Sequence, residues 1–266
     1  MTQEPTHDVR EDEVHDHDRG LSFDVSMLMT RRRALQLLAI GGLATVVGCG
    51  GAYGGSSATT AAIPEETGGP FPADGSNGVN VLTESGIVRR DITSSFGSAS
   101  GTAAGVPLAI ALTILDVSAG GTPLKGAAVY VWHCNRAGEY SLYSPAVAGE
   151  NYLRGVQESD ARGRVTFASI YPAAYSGRWP HIHFEVYPTL AAATAAGTKL
   201  VTSQIALPEA ACKLVYATAG YEQSVQNLAR TSLATDMVFS DGYSTQLGTV
   251  SGSVGQGMTV ALNVGV

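Results

Sequence analysis

From position 106 to its C-terminus the chain is cut into short apolar runs by glycine, asparagine and aspartate turns, and that punctuation points it to a β-rich fold. Residues 106–117 are rich in Leu, Ile, Thr and Ala and stop at Gly120-Gly121. Residues 127–134 form a second apolar run. Residues 155–158, 164–170, 181–187 and 200–206 follow at short intervals, with Asp160-Ala161-Arg162-Gly163 as a turn between two of them. Two segments, 208–216 and 221–233, read as short helices. Residues 244–252 and 258–264 close the chain with β alternation around Gly255-Gln256-Gly257. Many short strands with turns between them predict an all-β sandwich or barrel. The chain carries no repeat of fixed period, no Gly-rich phosphate loop and no Gly-x-Ser-x-Gly elbow, so a serine hydrolase has no support.

At 266 residues there is room for one sizeable domain. Charged residues make up 15% and the formal net charge is -7, which argues against a nucleic-acid binder with its basic patch. Residues 1–29 are polar and acidic and read as a leader. Thr30-Arg31-Arg32-Arg33, an apolar run over 34–47 and then Gly48-Cys49 describe a secretory signal, too short in its apolar part for an ordinary membrane span. The paired arginines resemble a twin-arginine (Tat) signal. Val46-Val47-Gly48-Cys49 resembles a bacterial lipobox, with Val46 where Leu is usual. The expectation is a signal over 1–48, an exported protein of the cell envelope or exterior, and membrane attachment through a lipidated Cys49. A flexible Gly/Ser/Thr-rich tether over 49–62 follows, then a folded body over 63–266. Turns around Glu65, Pro70, Pro72 and Asn77 make the first part of that body an irregular arm. Export leaves Cys134 and Cys212 either paired or free.

The chemistry concentrates between Tyr171 and Phe184. Strand side chains alternate between faces, so His181 and His183 project together and can bind one metal ion. Two imidazoles suit Zn, Cu, Fe or Ni alike. Glu185 lies on the same face, as a third ligand or as an outer carboxylate that orients a histidine. Tyrosines grouped with histidines point to ferric iron, because a free phenol titrates near 10 and a strongly Lewis-acidic ion is needed to hold the phenolate. Tyr140, Tyr143, Tyr171 and Tyr175 are the candidates. Arg178 is a strand-end arginine or a catalytic cation. His133 reads as a strand residue near the core.

Several segments in order carry a resemblance. Gly138-Glu139-Tyr140-Ser141 follows Val131-Trp132-His133-Cys134-Asn135. Leu153-Arg154-Gly155-Val156-Gln157 is followed by Gly163 and Phe167. Tyr171-Pro172 runs through to His183-Phe184, and Gly69-Pro70-Phe71 lies in the arm. Across residues 64–190 these resemble the intradiol ring-cleavage dioxygenases, in particular their compact exported members and protocatechuate-type subunits. The long helical N-terminal region of the catechol dioxygenases has no counterpart.

The resemblance implies a β-sandwich with short helices and irregular arms. It implies non-haem Fe(III) held by Tyr140, Tyr175, His181 and His183, with Arg178, Tyr140 and Tyr175 in catalysis. It also implies a catecholic substrate that, with O2, is opened to a cis,cis-muconate-type product. On this resemblance, the Gly-x-Tyr-Ser context favours Tyr140 over Tyr143, and the family's Pro-x-x-Tyr-x-x-Arg spacing favours Tyr175 over Tyr171. Ala173 departs from the Gly of many relatives. Pro70, Phe71 and Trp179 are candidate substrate walls. A competing resemblance remains: residues 106–134, with Pro123-Leu124-Lys125-Gly126-Ala127, are also similar to transthyretin-like or carbohydrate-binding sandwich modules, which implies an anchored module without catalysis.

Overall fold

A computed structural model describes residues 61–266. The readings of residues 1–48, of most of the tether and of Cys49 lie outside the described residues. Ala62 already bridges Gly265, so the folded body begins at the last residues assigned to the tether.

Among the described residues, nine strands form two sheets. In the first, β1 (Pro107–Asp116) is the axis. Along one edge it pairs antiparallel with β5 (Arg164–Ile170) and, at its far end, with the two-residue β2 (Thr122–Pro123). Along the other it pairs parallel with β9 (Gly257–Gly265), beyond which lies β8 (Thr249–Ser253). The second sheet is antiparallel throughout. It runs in the order β4 (Arg154–Glu158), β3 (Ala128–Trp132), β6 (His181–Tyr187), β7 (Val201–Ala206). The expected all-β sandwich is what the chain forms.

Burial follows the strand period. Along β1, Leu108, Ile110, Leu112 and Ile114 turn inward while the intervening residues reach solvent. They meet Val129, Val131, Ile182, Phe184 and Val186 of the second sheet, and Phe167, Val260 and Val264 complete this inter-sheet core. The second sheet differs in that every residue of β3 and β6 is buried. Its outer face is covered by the arm, whose Ala73, Val81, Leu82 and Ile87 pack on Ala128, Tyr130, Trp132, Val156 and Tyr187. The arm is sewn on by backbone bonds: the Ile63 amide donates to Gly265 (3.0 Å) and the Glu66 amide to Thr202 (2.7 Å).

Three α-helices punctuate the connections among the described residues. The five-residue α1 (Leu190–Thr194) was not expected, since so short an alanine-rich piece shows no helical periodicity. Thr189 caps it by accepting from the Ala192 amide at 3.1 Å. The two expected helices are α2 (Glu209–Tyr216) and α3 (Glu222–Leu228), and the second stops five residues before position 233. There Thr235 Oγ1 accepts from the Ser232 amide, a local turn that competes with the helix and delivers Asp236 to the interior. Cys134 and Cys212 are both buried and free.

Phe184 fills the centre of the inter-sheet core. Phe184→Ala should lower the unfolding free energy by about 3–5 kcal/mol, read from urea midpoints. A loss below about 1 kcal/mol would mean that the two sheets do not pack through this side chain.

Candidate metal centre

The site grows from the face of β6 opposite the inter-sheet core. Because Ile182, Phe184 and Val186 turn inward, His181, His183 and Glu185 turn outward beneath the arm. Strand register then selects their neighbours. His183 lies level with Trp132 on one side and Gln204 on the other. The Trp132 and His183 rings stack at 4.9 Å and 5°. Trp132 in turn stacks on Tyr130 at 5.0 Å.

Two loops bring the tyrosines over this floor. Residues 133–144 carry Tyr140, pinned by its amide to Ser144 Oγ at 2.9 Å. Residues 171–180 carry Tyr175, the half-buried member of the pair. The loops meet at Gly138, whose φ is +89°, and where an added Cβ would lie 3.1 Å from Tyr175 Cβ. Glycine satisfies both the left-handed backbone and the close approach.

Four donor atoms converge. The Tyr140 and Tyr175 hydroxyls are 3.4 Å apart, Tyr175 Oη is 3.2 Å from His181 Nε2, and the two histidine Nε2 atoms are 3.0 Å apart. Ligands each about 2.0–2.1 Å from one ion lie about 2.8–3.6 Å apart at angles of about 90° to 120°. The spacing fits a single shared metal ion. The protonation states fit as well. His181 Nδ1 lies 2.5 Å from the Trp179 carbonyl, which can only accept, so Nδ1 carries the proton and Nε2 offers its lone pair. Burial, reinforced by the Arg178 cation, holds both imidazoles well below their ordinary range and therefore neutral. His183 Nδ1 is buried without a partner, and the ring is held instead by its stack on Trp132. Burial also drives the Tyr140 phenol well above its ordinary value, and the adjacent Tyr175 adds to this. A cation held there would oppose that preference and favour the phenolates.

The rival tyrosines lie elsewhere. Tyr171 is in the core, its hydroxyl 3.3 Å from Cys212 Sγ. Tyr143 stands at the mouth, where it accepts from the Ala73 amide and donates to Asn77 Oδ1. His133 is satisfied by the Cys134 carbonyl and Ser169 Oγ, as a core residue. Glu185 neither ligates nor orients a histidine. It pairs with Lys199 and accepts from the Tyr187 hydroxyl. Among the described residues no three His, Cys, Asp or Glu side chains form a metal-binding group.

Arg178 is buried, not exposed at a strand end. Its Nε donates to Asp236 Oδ2 (3.0 Å) and its Nη2 to Gln204 Oε1 (2.7 Å). Asp236 also accepts from the Trp179 amide at 2.6 Å, and the Arg178 cation counters the cost of its burial and keeps its carboxyl below the ordinary range. Gln204 ties this group to the arm by donating to the Thr67 carbonyl at 2.9 Å. Sequence reasoning missed Gln204 and Asp236. The first had a signal: a glutamine in an otherwise buried strand, level with a histidine once β7 is paired to β6. The second had none, because it arrives from a remote loop.

The arm supplies the roof. At Gly69, φ is +67° and an added Cβ would lie 3.4 Å from His183 Cε1, so the chain passes directly over the histidine. Half-buried Phe71 packs on Tyr140 at 5.0 Å and on Tyr143 at 5.1 Å. Phe71, with Pro70 before it in the chain, thus lies beside Tyr140 and Tyr143. Trp179 does not: it is buried in the inter-sheet core with its indole N–H on the Leu207 carbonyl.

With this geometry in hand, comparison with known proteins places the chain. Residues 89–210, a segment holding Tyr140, Tyr175, Arg178, His181, His183 and Gln204, match the family described as Dioxygenase. The chain is 42% identical over 55 residues to a chlorocatechol 1,2-dioxygenase of Rhodococcus opacus, 21% of each chain. It is 33% identical over 103 residues to a catechol 1,2-dioxygenase of Acinetobacter lwoffii, 32% of this chain and 34% of that one. The matched segments thus span about a fifth to a third of these curated relatives. Among solved structures, an intradiol ring-cleavage dioxygenase from Tetranychus urticae superposes with TM-score 0.56 at 24% identity, covering 68% of this chain and 87% of that one. A second dioxygenase crystal structure gives 0.54 at 25%, with the same coverage. The fold is that of the intradiol ring-cleavage dioxygenases, and residues 89–210 are similar in sequence to the dioxygenase family whose model they match. Phe71 and Asp236 lie outside the matched segment.

Behind Arg178, burial and the nearby Asp241 carboxylate push Glu66 from an ordinary 4.5 up to about 7, opposed by the Gln246 amide and by Arg178, with Asp236 also raising it. Between those values the unfolded chain releases this proton while the folded protein retains it, so stability falls as pH rises through the window. Glu66→Gln should remove about 2 kcal/mol of that decline, read as urea midpoints at pH 5 and pH 8. Parallel pH profiles for the two proteins would show that Glu66 does not titrate this way.

Proposed function

We propose that the protein is a non-haem Fe(III) dioxygenase that opens a catecholic ring between its two hydroxyl-bearing carbons. Both atoms of O2 enter the resulting cis,cis-muconate-type diacid. The observation that carries this reading is the convergence of two phenol oxygens and two neutral imidazole nitrogens at 3.0–3.4 Å on the floor of a covered mouth. The names of the catechol 1,2-dioxygenases that match part of the chain support the substrate class. Ferric iron would be held by Tyr140, Tyr175, His181 and His183, and would supply a Lewis-acidic, redox-active centre for a catecholic diol.

The protein's own residues do the rest. Tyr175, half-buried beside the mouth, is placed to take one proton from the diol as its phenolate. His181 and His183 stay neutral and fixed, the one by the Trp179 carbonyl and the other by the Trp132 ring. Arg178, held by Asp236 and Gln204, keeps a positive charge in a desolvated setting where negative charge builds on the substrate. Phe71 and Pro70 orient the ring and limit water. Export by the Tat route, with attachment through Cys49, belongs to the same proposal and rests on Thr30-Arg31-Arg32-Arg33 and the apolar run behind it. The rival reading, an anchored module without catalysis, leaves the four converging donors unexplained.

Oxygen uptake across a panel of catechols, run under 18O2, tests the reading. The expected product is a ring-opened diacid that carries both labels. No uptake by iron-reconstituted protein with any catechol would sink the dioxygenase and favour the module. Tyr175→Phe should abolish activity and the visible tyrosinate-to-iron absorption contributed by that residue. Full colour and activity in this variant would remove Tyr175 from the ligand set.

A further inference from the structure

Arg154 opens β4 with only 1% of its surface exposed, and every acceptor it meets is neutral. Nε donates to Ser141 Oγ (3.1 Å) and Nη2 to the Ser141 carbonyl (2.9 Å). Nη1 donates to the Pro72 carbonyl and to the Tyr130 hydroxyl, both at 3.1 Å. The Tyr130 hydroxyl donates in turn to the same Pro72 carbonyl at 2.8 Å. The guanidinium also lies against the Tyr143 ring, 5.4 Å from its centroid. Arg89 clasps the Arg154 carbonyl from outside, at 2.9 Å from Nε and 2.6 Å from Nη2.

The identity of those acceptors is informative. Ser141 directly follows Tyr140, and Pro72 directly follows Phe71. One side chain therefore grips the metal-tyrosine loop and the mouth arm at once, each at the residue next to its functional member. Packing alone gives no reason for a cation here, because a buried charge among neutral acceptors is costlier than an apolar side chain of the same size. The planar fork of five donors does give a reason, since it spans two chain segments in one rigid geometry. A lysine, whose donors radiate from one nitrogen, cannot span both.

We propose that Arg154 is a positioning residue that sets the separation of the Tyr140 loop from the arm carrying Phe71, and so the packing of the Phe71 ring against Tyr140 over the site. The strut itself is independent of the metal. Its consequence for catalysis rests on the ferric reading above.

Amide hydrogen exchange on full-length protein without metal, comparing wild type with Arg154→Lys, tests the strut. Exchange should quicken about tenfold or more in both 69–75 and 139–144, with β1 and β9 unchanged. A change in only one of the two segments, in neither, or spread evenly over both sheets overturns the proposal. Should Arg154→Lys fail to fold, Ser141→Ala decides. That variant strands the Nε donor, and the slack should reach the arm at 69–75; quickening confined to 139–144 refutes a shared strut. In iron-loaded protein, Arg154→Lys should also move the tyrosinate absorption maximum and raise KM for a catechol more than it lowers kcat. An unmoved maximum in folded, iron-loaded variant contradicts the link to Tyr140. Absence of any such band in wild type counts against the ferric reading alone and leaves the exchange result standing.

Discussion

Everything near the site depends on β6 being buried on both faces while only one of them is apolar. Ile182, Phe184 and Val186 fill the space between the sheets, and His181, His183 and Glu185 occupy the other side of the same seven residues. Polar groups removed from water need partners. The surrounding elements enclose that face: Trp132 stacks on His183, Lys199 pairs with Glu185, and the arm and the tyrosine loops lie overhead. The apolar face ties these elements to the sandwich core, so the geometry of the donors inherits the rigidity of the sheets.

That arrangement sets the electrostatics as well. The imidazoles are buried and kept neutral, burial keeps the Tyr140 phenol protonated, and Arg178 holds a positive charge whose counter-ion, Asp236, sits behind it. A buried ion pair is weak evidence of stability, since desolvation offsets most of the attraction. Here the pair fixes the orientation of Arg178, and Gln204 links it to Thr67 of the arm. On the proposed chemistry, the roof, the cation and the ligands respond to one another through a short chain of hydrogen bonds.

Much of this was legible in the residues. The strand at 181–187 is read to the residue, because period-2 alternation and turn signals flank it closely. Tyr140 and Tyr175 were open against Tyr143 and Tyr171 until sequence context chose between them, and the structure puts the rivals at the mouth and in the core. What remained illegible depends on tertiary approach. Asp236 reaches the site from a loop that interrupts an apparently longer helix. Trp179, beside a catalytic arginine in sequence, turns away from the mouth into the core, since its large apolar surface gains more there. Arg154 lay in a segment noted only for its resemblance, and its reach to both Ser141 and Pro72 appears only once β4 is laid against β3.

The central claim is that four protein donors share one ferric ion. Iron K-edge X-ray absorption on protein reconstituted with ferric iron tests it most directly. The account predicts one iron per chain, a first shell of nitrogen and oxygen only, and the outer-shell scattering of two imidazoles. Iron that stays well below one per chain, or a bound iron without imidazole scattering, would contradict it.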